Sequence, residues 1–279
     1  MRIIVLGSPE SWYVSDLRRA AGSDHEIVPA TFRDLASHLE ADRTAVMSGD
    51  INLAEADALL VRTMPAGSLE QVVFRMDALA RLEASGQTIV NPPKAIEAAV
   101  DKYLALVRIQ EAGVPVPRTV VCQTSQQAMD AFALLGSDVV VKPLFGAEGR
   151  GIARVQDEAM MLRAARMLEE LGAVLYLQEF VPHGGYDIRA LVLGNRVLGM
   201  ERRSTTDWRT NVSRGAATAP VALTPEMEDY ALRSAAAVGA PLAGVDLLPA
   251  TDGRLLVLEV NDVPGWRALA RTLQEDIAA

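Results

Sequence analysis

Glu259 and Asn261 stand two apart in the apolar run Leu255-Leu256-Val257-Leu258-Glu259-Val260-Asn261. If that run is a strand, both side chains point to one face. Core packing asks for neither residue there, and a buried Glu without a partner is costly. Upstream, Ala243-Gly244-Val245-Asp246-Leu247-Leu248 is a second apolar run with a single acid. Between the two lies Thr251-Asp252-Gly253-Arg254, and Asp-Gly is a hairpin-turn signal. Counting back from a tip at Asp252-Gly253 sets Asp246 opposite Glu259 and Gly244 opposite Asn261. Facing acids repel, unless a cation lies between them. Mg²⁺ suits such a site, because it takes carboxylate oxygens and shares its remaining positions with phosphates. The plainer alternative is a solvated edge hairpin, which the apolar flanks disfavour.

A second group of residues points to phosphate. Val139-Val140-Val141-Lys142-Pro143 ends an apolar strand in a lysine, and the following loop carries Gly146, Gly149 and Gly151. Glycines let backbone N–H groups approach phosphate oxygens, and a lysine adds a point charge. No Gly-Lys-Ser/Thr follows, so this is not a Walker A loop. Leu175-Tyr176-Leu177-Gln178-Glu179-Phe180-Val181 offers a strand edge for an adenine ring. In Tyr186-Asp187-Ile188-Arg189, Asp187 and Arg189 share a face, and the Gly194-Asn195 turn sets Arg202 opposite Asp187. That pair is either a structural ion pair or a ribose-binding acid beside anion-binding cations. The loop Asp207-Trp208-Arg209-Thr210-Asn211-Val212-Ser213-Arg214-Gly215 is rich in donors.

Elements must hold these residues in place. Residues 1–90 alternate strand and helix in a parallel α/β pattern. Strands are expected at Ile3–Leu6, His25–Val28, Ala58–Val61 and Thr88–Val90, and helices around Asp16–Ala20, over Phe32–Glu40 and over Leu69–Ala84. Gly7-Ser8-Pro9 lacks the remaining glycines of a dinucleotide fingerprint. Asn91-Pro92-Pro93 opens a second region, 91–184, led by one long helix from Lys94 to Ala112. Its later strands are expected at Arg118–Cys122, Asp138–Lys142, Ile152–Val155 and Val174–Gln178. Beyond Gly184-Gly185 the pattern turns from parallel to antiparallel. This third region, 185–279, holds a hairpin, a polar loop from Ser204 to Ala219, a helix over Pro225–Val238, the acid-bearing hairpin and a short final helix. The fold class is α/β, with α+β character in the C-terminal half.

Composition narrows the possibilities. The 279 residues suffice for a large core in more than one domain. A net charge of −9 argues against nucleic acid or an anionic membrane as the main partner. The single Cys122 cannot form an internal disulfide and reads as a structural thiol. No apolar run reaches membrane-spanning length, so the expected location is the cytoplasm. His25, His38 and His183 have no metal-ligand spacing and receive no role. A homo-oligomer is compatible with the sequence.

Taken in order, these motifs resemble the ATP-grasp superfamily and, within it, the RimK-like glutamate ligases. The resemblance covers residues 90 to 270. It rests on Asp101-Lys102, Val140-Val141-Lys142-Pro143, Gln178-Glu179-Phe180-Val181, Asp187-Ile188-Arg189, Arg209-Thr210-Asn211 with Arg214-Gly215, Val245-Asp246 and Leu258-Glu259-Val260-Asn261. It implies an ATP-grasp fold behind an N-terminal parallel α/β domain. It also implies Lys102 and Lys142 on the phosphates, Gln178, Glu179 and Phe180 at the adenine, and Asp187 at the ribose. Arg209, Thr210 and Asn211 would hold triphosphate and acyl-phosphate oxygens. Asp246, Glu259 and Asn261 would bind two Mg²⁺ ions, with Mn²⁺ as an alternative. Arg189, Arg202 and Arg203 are candidates for orienting a substrate carboxylate or the transferred phosphoryl group. The polar loop is one residue shorter than the RimK pattern, and Ala216 stands where a second glycine is common.

The implied activity is ATP-dependent amide formation through an acyl phosphate, adding glutamate, a small-molecule amino acid, to an unidentified acceptor. Such chemistry relies on positioning and charge neutralisation and requires no nucleophilic Ser or Cys. The alternative is a nucleotide-binding regulatory protein without turnover, which the intact Asp/Glu/Asn set argues against.

Overall fold

The computed structural model describes residues 1–41, 44–146 and 150–279. Gly149 of the glycine loop lies outside the described residues. The chain opens with β1 (Arg2–Leu6), α1 (Trp12–Ala21), β2 (Glu26–Ala30), β3 (Leu35–Leu39), β4 (Thr44–Ser48), β5 (Ile51–Asn52), β6 (Ala58–Val61), α2 (Leu69–Ala84) and β7 (Ile89–Val90). Strands β2-β1-β6-β7 form a parallel sheet, as the alternating pattern predicts. Helix α2 starts at a capping box, in which Ser68 and Gln71 satisfy each other's backbone N–H groups. Ile4, Leu6, Leu59 and Leu79 are fully buried in this part of the core.

The expected helix over Phe32–Glu40 does not form. Phe32, Leu35 and Leu39 have helical spacing, but Leu35–Leu39 is strand β3 and pairs antiparallel with β4, Ala36 opposite Met47 and Ser37 opposite Val46. Strand β5 completes a small separate sheet. Pairing with a neighbouring segment has overridden a weak local periodicity.

The middle of the chain contains α3 (Pro93–Val100), α4 (Lys102–Glu111), β8 (Thr119–Cys122), α5 (Ser125–Leu134), β9 (Val139–Lys142), β10 (Ala153–Val155), α6 (Glu158–Glu170) and β11 (Leu175–Glu179). Two departures from expectation occur here. The sheet order is β10-β9-β11-β8 and every pairing is antiparallel, so the change of direction comes earlier than Gly184-Gly185. The helix expected to run from Lys94 to Ala112 is broken at Asp101. That residue leaves helical backbone (φ −87, ψ 103), and its carboxylate accepts hydrogen bonds from the N–H groups of Tyr103 and Leu104. Asp therefore acts as an N-cap in mid-run and sets Lys102 at the first position of α4.

The remainder comprises β12 (Tyr186–Leu193), β13 (Arg196–Arg203), β14 (Ala217–Pro220), α7 (Pro225–Val238), β15 (Leu242–Pro249), β16 (Leu255–Asn261) and α8 (Arg267–Leu273). Its sheet, β14-β13-β12-β15-β16, is antiparallel throughout. The end of the expected polar loop is thus the edge strand β14. Val245, Leu247, Val257 and Val260 face a core shared with α7, which leaves the opposite face for polar residues.

Replacing Asp101 with Ala is expected to lower stability by about 1 kcal/mol through loss of the cap. A lower urea midpoint with an unchanged slope would show it, and Asp101→Asn should retain most of the stability.

Candidate active site

Asp246 on β15 faces Glu259 on β16, and Gly244 faces Asn261, as the hairpin count predicts. The intervening geometry is less regular than the count assumes. Nearer the tip, Leu247 pairs with Val257 and Pro249 with Leu255, so the register shifts by one and Leu258 bulges. Gly253 closes the tip with φ +90, a conformation a side chain would strain. An odd loop and a bulge cancel, and the acids still meet. The bulge also turns two consecutive residues, Leu258 and Glu259, to the same cleft, which a regular strand could not do.

Charges alternate across this face of the sheet. Arg189 lies opposite Asp246 on β12, with its Nε 2.8 Å from Oδ1. The Nη2 of Arg202 lies 2.9 Å from Asp246 Oδ2, and its guanidinium donates to both oxygens of Asp187. Burial alone would push Asp246 up, but Arg189 and Arg202 beside it hold its carboxyl below the usual range. Burial and the neighbouring Asp246 charge push Glu259 the other way. Asp246 Oδ1 is buried and, although Arg189 Nε stands 2.8 Å away as an ion-pair partner, it receives no well-aligned hydrogen bond. Asn261 Oδ1 accepts from the N–H of Val263 at 2.9 Å, which fixes the direction of its amide. Two facing carboxylates, one under-bonded oxygen and an oriented amide oxygen make an all-oxygen donor set, and a hard divalent cation fits it.

The lysines approach from the other wall. Lys142, at the end of β9, donates to Gln178 Oε1 at 2.6 Å. Gln178 Nε2 donates to Thr119 Oγ1 at 3.0 Å, and the Thr119 hydroxyl donates to the Pro117 carbonyl at 3.0 Å. Because a carbonyl can only accept, the direction of the whole chain is set, and the Gln178 oxygen must face the ammonium. Lys102 Nζ donates to the Gly146 carbonyl at 2.6 Å. Burial lowers the pKa of both lysines while the charge of Glu259 opposes it. Gly146 and Gly151 take positive φ (153 and 71).

Between the two walls is an open cleft with a volume of about 100 Å³. Val140, Ile152, Phe180, Val181, Leu248 and Leu258 supply an apolar end. Lys142, Gln178, Glu179, Asp187, Arg202, Arg209, Thr210, Asn211, Asp246 and Glu259, all singled out from sequence, share its lining. Both oxygens of Asp187 are held by Arg202, so the structural ion pair is what forms. Arg209 is pinned by Asp207 at 2.7 Å. Arg203 is not brought in: it pairs with Glu201 at 2.7 Å and covers the Tyr186 ring, because neighbours on a strand face opposite ways.

Some lining residues escaped the sequence reading. Trp208 lies edge-on to Phe180 at 5.8 Å, and the Arg154 guanidinium lies over the Phe180 ring, 3.4 Å from its centroid. His183, which has no metal spacing, also lines the cleft, and its Nδ1 is buried without a partner. The aromatic residue following Phe180-Val181-Pro182 was the available signal for His183, whereas Thr119 gave none. Cys122 is half-buried and its thiol pKa is raised by burial, as suits a structural thiol.

A family profile for the RimK-like ATP-grasp domain matches residues 99–279. The chain belongs to this family. RimK-like ATP-grasp proteins are ATP-dependent ligases, and this chain is such an enzyme. It is 36% identical over 267 residues to the tetrahydromethanopterin:alpha-L-glutamate ligase of Methanosarcina acetivorans, covering 88% of this chain and 81% of the relative. A protein of the same description from Methanococcus maripaludis is 31% identical, covering 100% of this chain and 95% of the relative. Among solved structures, the ATP-grasp ligase PsnB complexed with minimal precursor superposes with a TM-score of 0.78 at 24% identity, over 99% of this chain and 95% of that one. A RimK domain ATP-grasp protein from Sphaerobacter thermophilus gives 0.74 at 24%, over 100% and 96%. These two share the ATP-grasp fold with the RimK-like chain described here. Among the described residues, no helix is long and apolar enough to cross a membrane.

If the Pro117–Thr119–Gln178 chain orients Lys142, Thr119→Val should raise the KM for ATP roughly tenfold by leaving the Gln178 amide without its acceptor. Thr119→Ser should restore it. Steady-state kinetics at varied ATP would decide, and equal KM values in both variants would exclude the relay.

Proposed function

We propose that the enzyme adds glutamate to the carboxylate of an acceptor, activated as an acyl phosphate by ATP. The observation that carries this reading is the facing Asp246–Glu259 pair with Asn261, set across a cleft from Lys142, with Arg189 and Arg202 beside Asp246. A carboxylate resists attack by an amine until its oxygen becomes a good leaving group. Among the described residues, the cleft lining contains no Ser or Cys for a covalent route. The curated relatives are named as glutamate ligases acting on tetrahydromethanopterin, so a pterin-type acceptor is the first to test.

Each residue then has a task. The apolar end around Phe180 would receive the adenine. Lys102 and Lys142 would hold phosphate oxygens, with Gly146 and Gly151 giving the backbone close approach. Arg209, Thr210 and Asn211 would hold the oxygens of the transferred group, and Arg189 would orient the substrate carboxylate. Asp246, Glu259 and Asn261 would hold two Mg²⁺ ions, or Mn²⁺ in their place, which supply charge neutralisation at the phosphoryl group. Pre-set charges in a partly dry cleft do most of such work. The reading includes three segments, 1–90, 91–184 and 185–279, and a cytoplasmic location, for which the lone free thiol is the support.

Glu259→Ala should abolish glutamate- and acceptor-dependent ADP release while the circular dichroism spectrum is kept. Full turnover in that variant at matched Mg²⁺ would sink the metal assignment. For the wild type, a panel of pterin, peptide and amino-acid acceptors with glutamate, aspartate or glutamine should release ADP most strongly with glutamate. Equal rates for all three amines would remove the glutamate assignment.

A further inference from the structure

The segment after Asn261 is held from far away in the chain. Asn91 follows β7 and Arg62 follows β6, so both stand at the same edge of the N-terminal parallel sheet. Asn91 Nδ2 donates to the Asp262 carbonyl at 2.6 Å and to the Leu242 carbonyl at 2.7 Å, and its Oδ1 accepts from the Leu242 N–H at 3.1 Å. Arg62 Nη2 donates to the Pro264 carbonyl at 2.8 Å. Asn91 is 1% exposed and Arg62 is 4% exposed. The Arg62 guanidinium packs over two rings that touch each other edge-to-face, 4.8 Å from the Tyr13 centroid and 4.5 Å from that of Trp266. Trp266 is itself fixed by donating from Nε1 to Asp16 at 2.9 Å.

Asp262 and Pro264 flank Val263, whose N–H orients the Asn261 amide. The two tethers therefore grip the backbone on both sides of the one hydrogen bond that aims Asn261. Neither Arg62 nor Asn91 lines the cleft. Arg62 also keeps its Nε and Nη1 buried without hydrogen-bond partners, a cost that the two ring faces offset in part.

We propose that Arg62 and Asn91 are positioning residues for the metal centre, through which the N-terminal sheet sets the Asn261 oxygen toward the cation. This rests on the reading of Asn261 as a metal ligand. Groups that orient a ligand typically change metal affinity about ten- to a hundredfold when removed.

The test uses Mn²⁺ as a paramagnetic probe on the full-length protein with saturating ADP, with free Mn²⁺ counted by electron paramagnetic resonance. Arg62→Met and Asn91→Ala should weaken Mn²⁺ binding about tenfold or more, while ADP affinity in EDTA stays at the wild-type value. Arg62→Lys keeps the stem and the charge, guarding against loss of fold, and should still weaken Mn²⁺, because a point donor cannot both stack on the rings and reach Pro264. Leu59→Ala, which opens the same N-terminal core without touching residues 262–264, should leave Mn²⁺ binding unchanged. Wild-type Mn²⁺ affinity in folded Arg62 and Asn91 variants overturns the proposal, as does equal weakening in Leu59→Ala. Asn261→Ala separates the two levels: if it leaves Mn²⁺ affinity intact, the ligand assignment is what has failed.

Discussion

Asp246 and Glu259 are like charges on adjacent strands, the first buried and the second half-buried. A pair of buried carboxylates is stable only when cations or shared protons offset both desolvation and repulsion. Arg189 and Arg202 do so for Asp246, Arg202 is shared with Asp187, and the two lysines weigh on Glu259 from across the cleft. Remove the acid pair and Asp187 alone remains beside this concentration of positive charge. The opposite charges on β13, β12 and β15 that flank the like pair on β15 and β16 follow from that single constraint.

The same constraint explains why separate sheets converge. The antiparallel sheet of the middle segment contributes Lys142 and the Gln178–Thr119 chain that aims it. The C-terminal sheet contributes the acids and both arginines, and its α7 face provides the apolar backing that keeps the strands in register. The N-terminal parallel sheet touches neither phosphate nor acid residues, yet its strand ends grip the turn after Asn261. Each layer fixes a different coordinate of one site.

What was legible in the sequence follows the range of the forces involved. The acids in apolar strands could be paired by counting from Asp252-Gly253 because local turn chemistry and strand period both act over short distances. The bulge at Leu258 leaves no such mark, and the count succeeded because the odd loop offset it. Asp101 carried a visible cap signal that was outweighed by a continuous helical run on both sides. The strand at Leu35–Leu39 depended on its partner Thr44–Ser48 rather than on its own pattern. Arg202 and Arg203 looked alike as neighbours, although strand alternation allows only one of them to reach the acids. Thr119, Arg62 and Asn91 gain their importance from carbonyls and side chains far along the chain, and nothing local announces it.

The aromatic seat of Arg62 bears on how the molecule responds to its medium. Near the same junction, Arg19 joins Asp16 and Asp276 through ion pairs that are open to solvent, and dissolved ions weaken such pairs within a Debye length of about 8 Å at physiological ionic strength. The Arg62 guanidinium is enclosed by Tyr13, Trp266 and a backbone carbonyl, where mobile ions do not enter. As salt rises, the rim of this junction loosens while its centre holds, so the link between the N-terminal sheet and the turn after Asn261 keeps its grip across the ionic strengths a cell experiences.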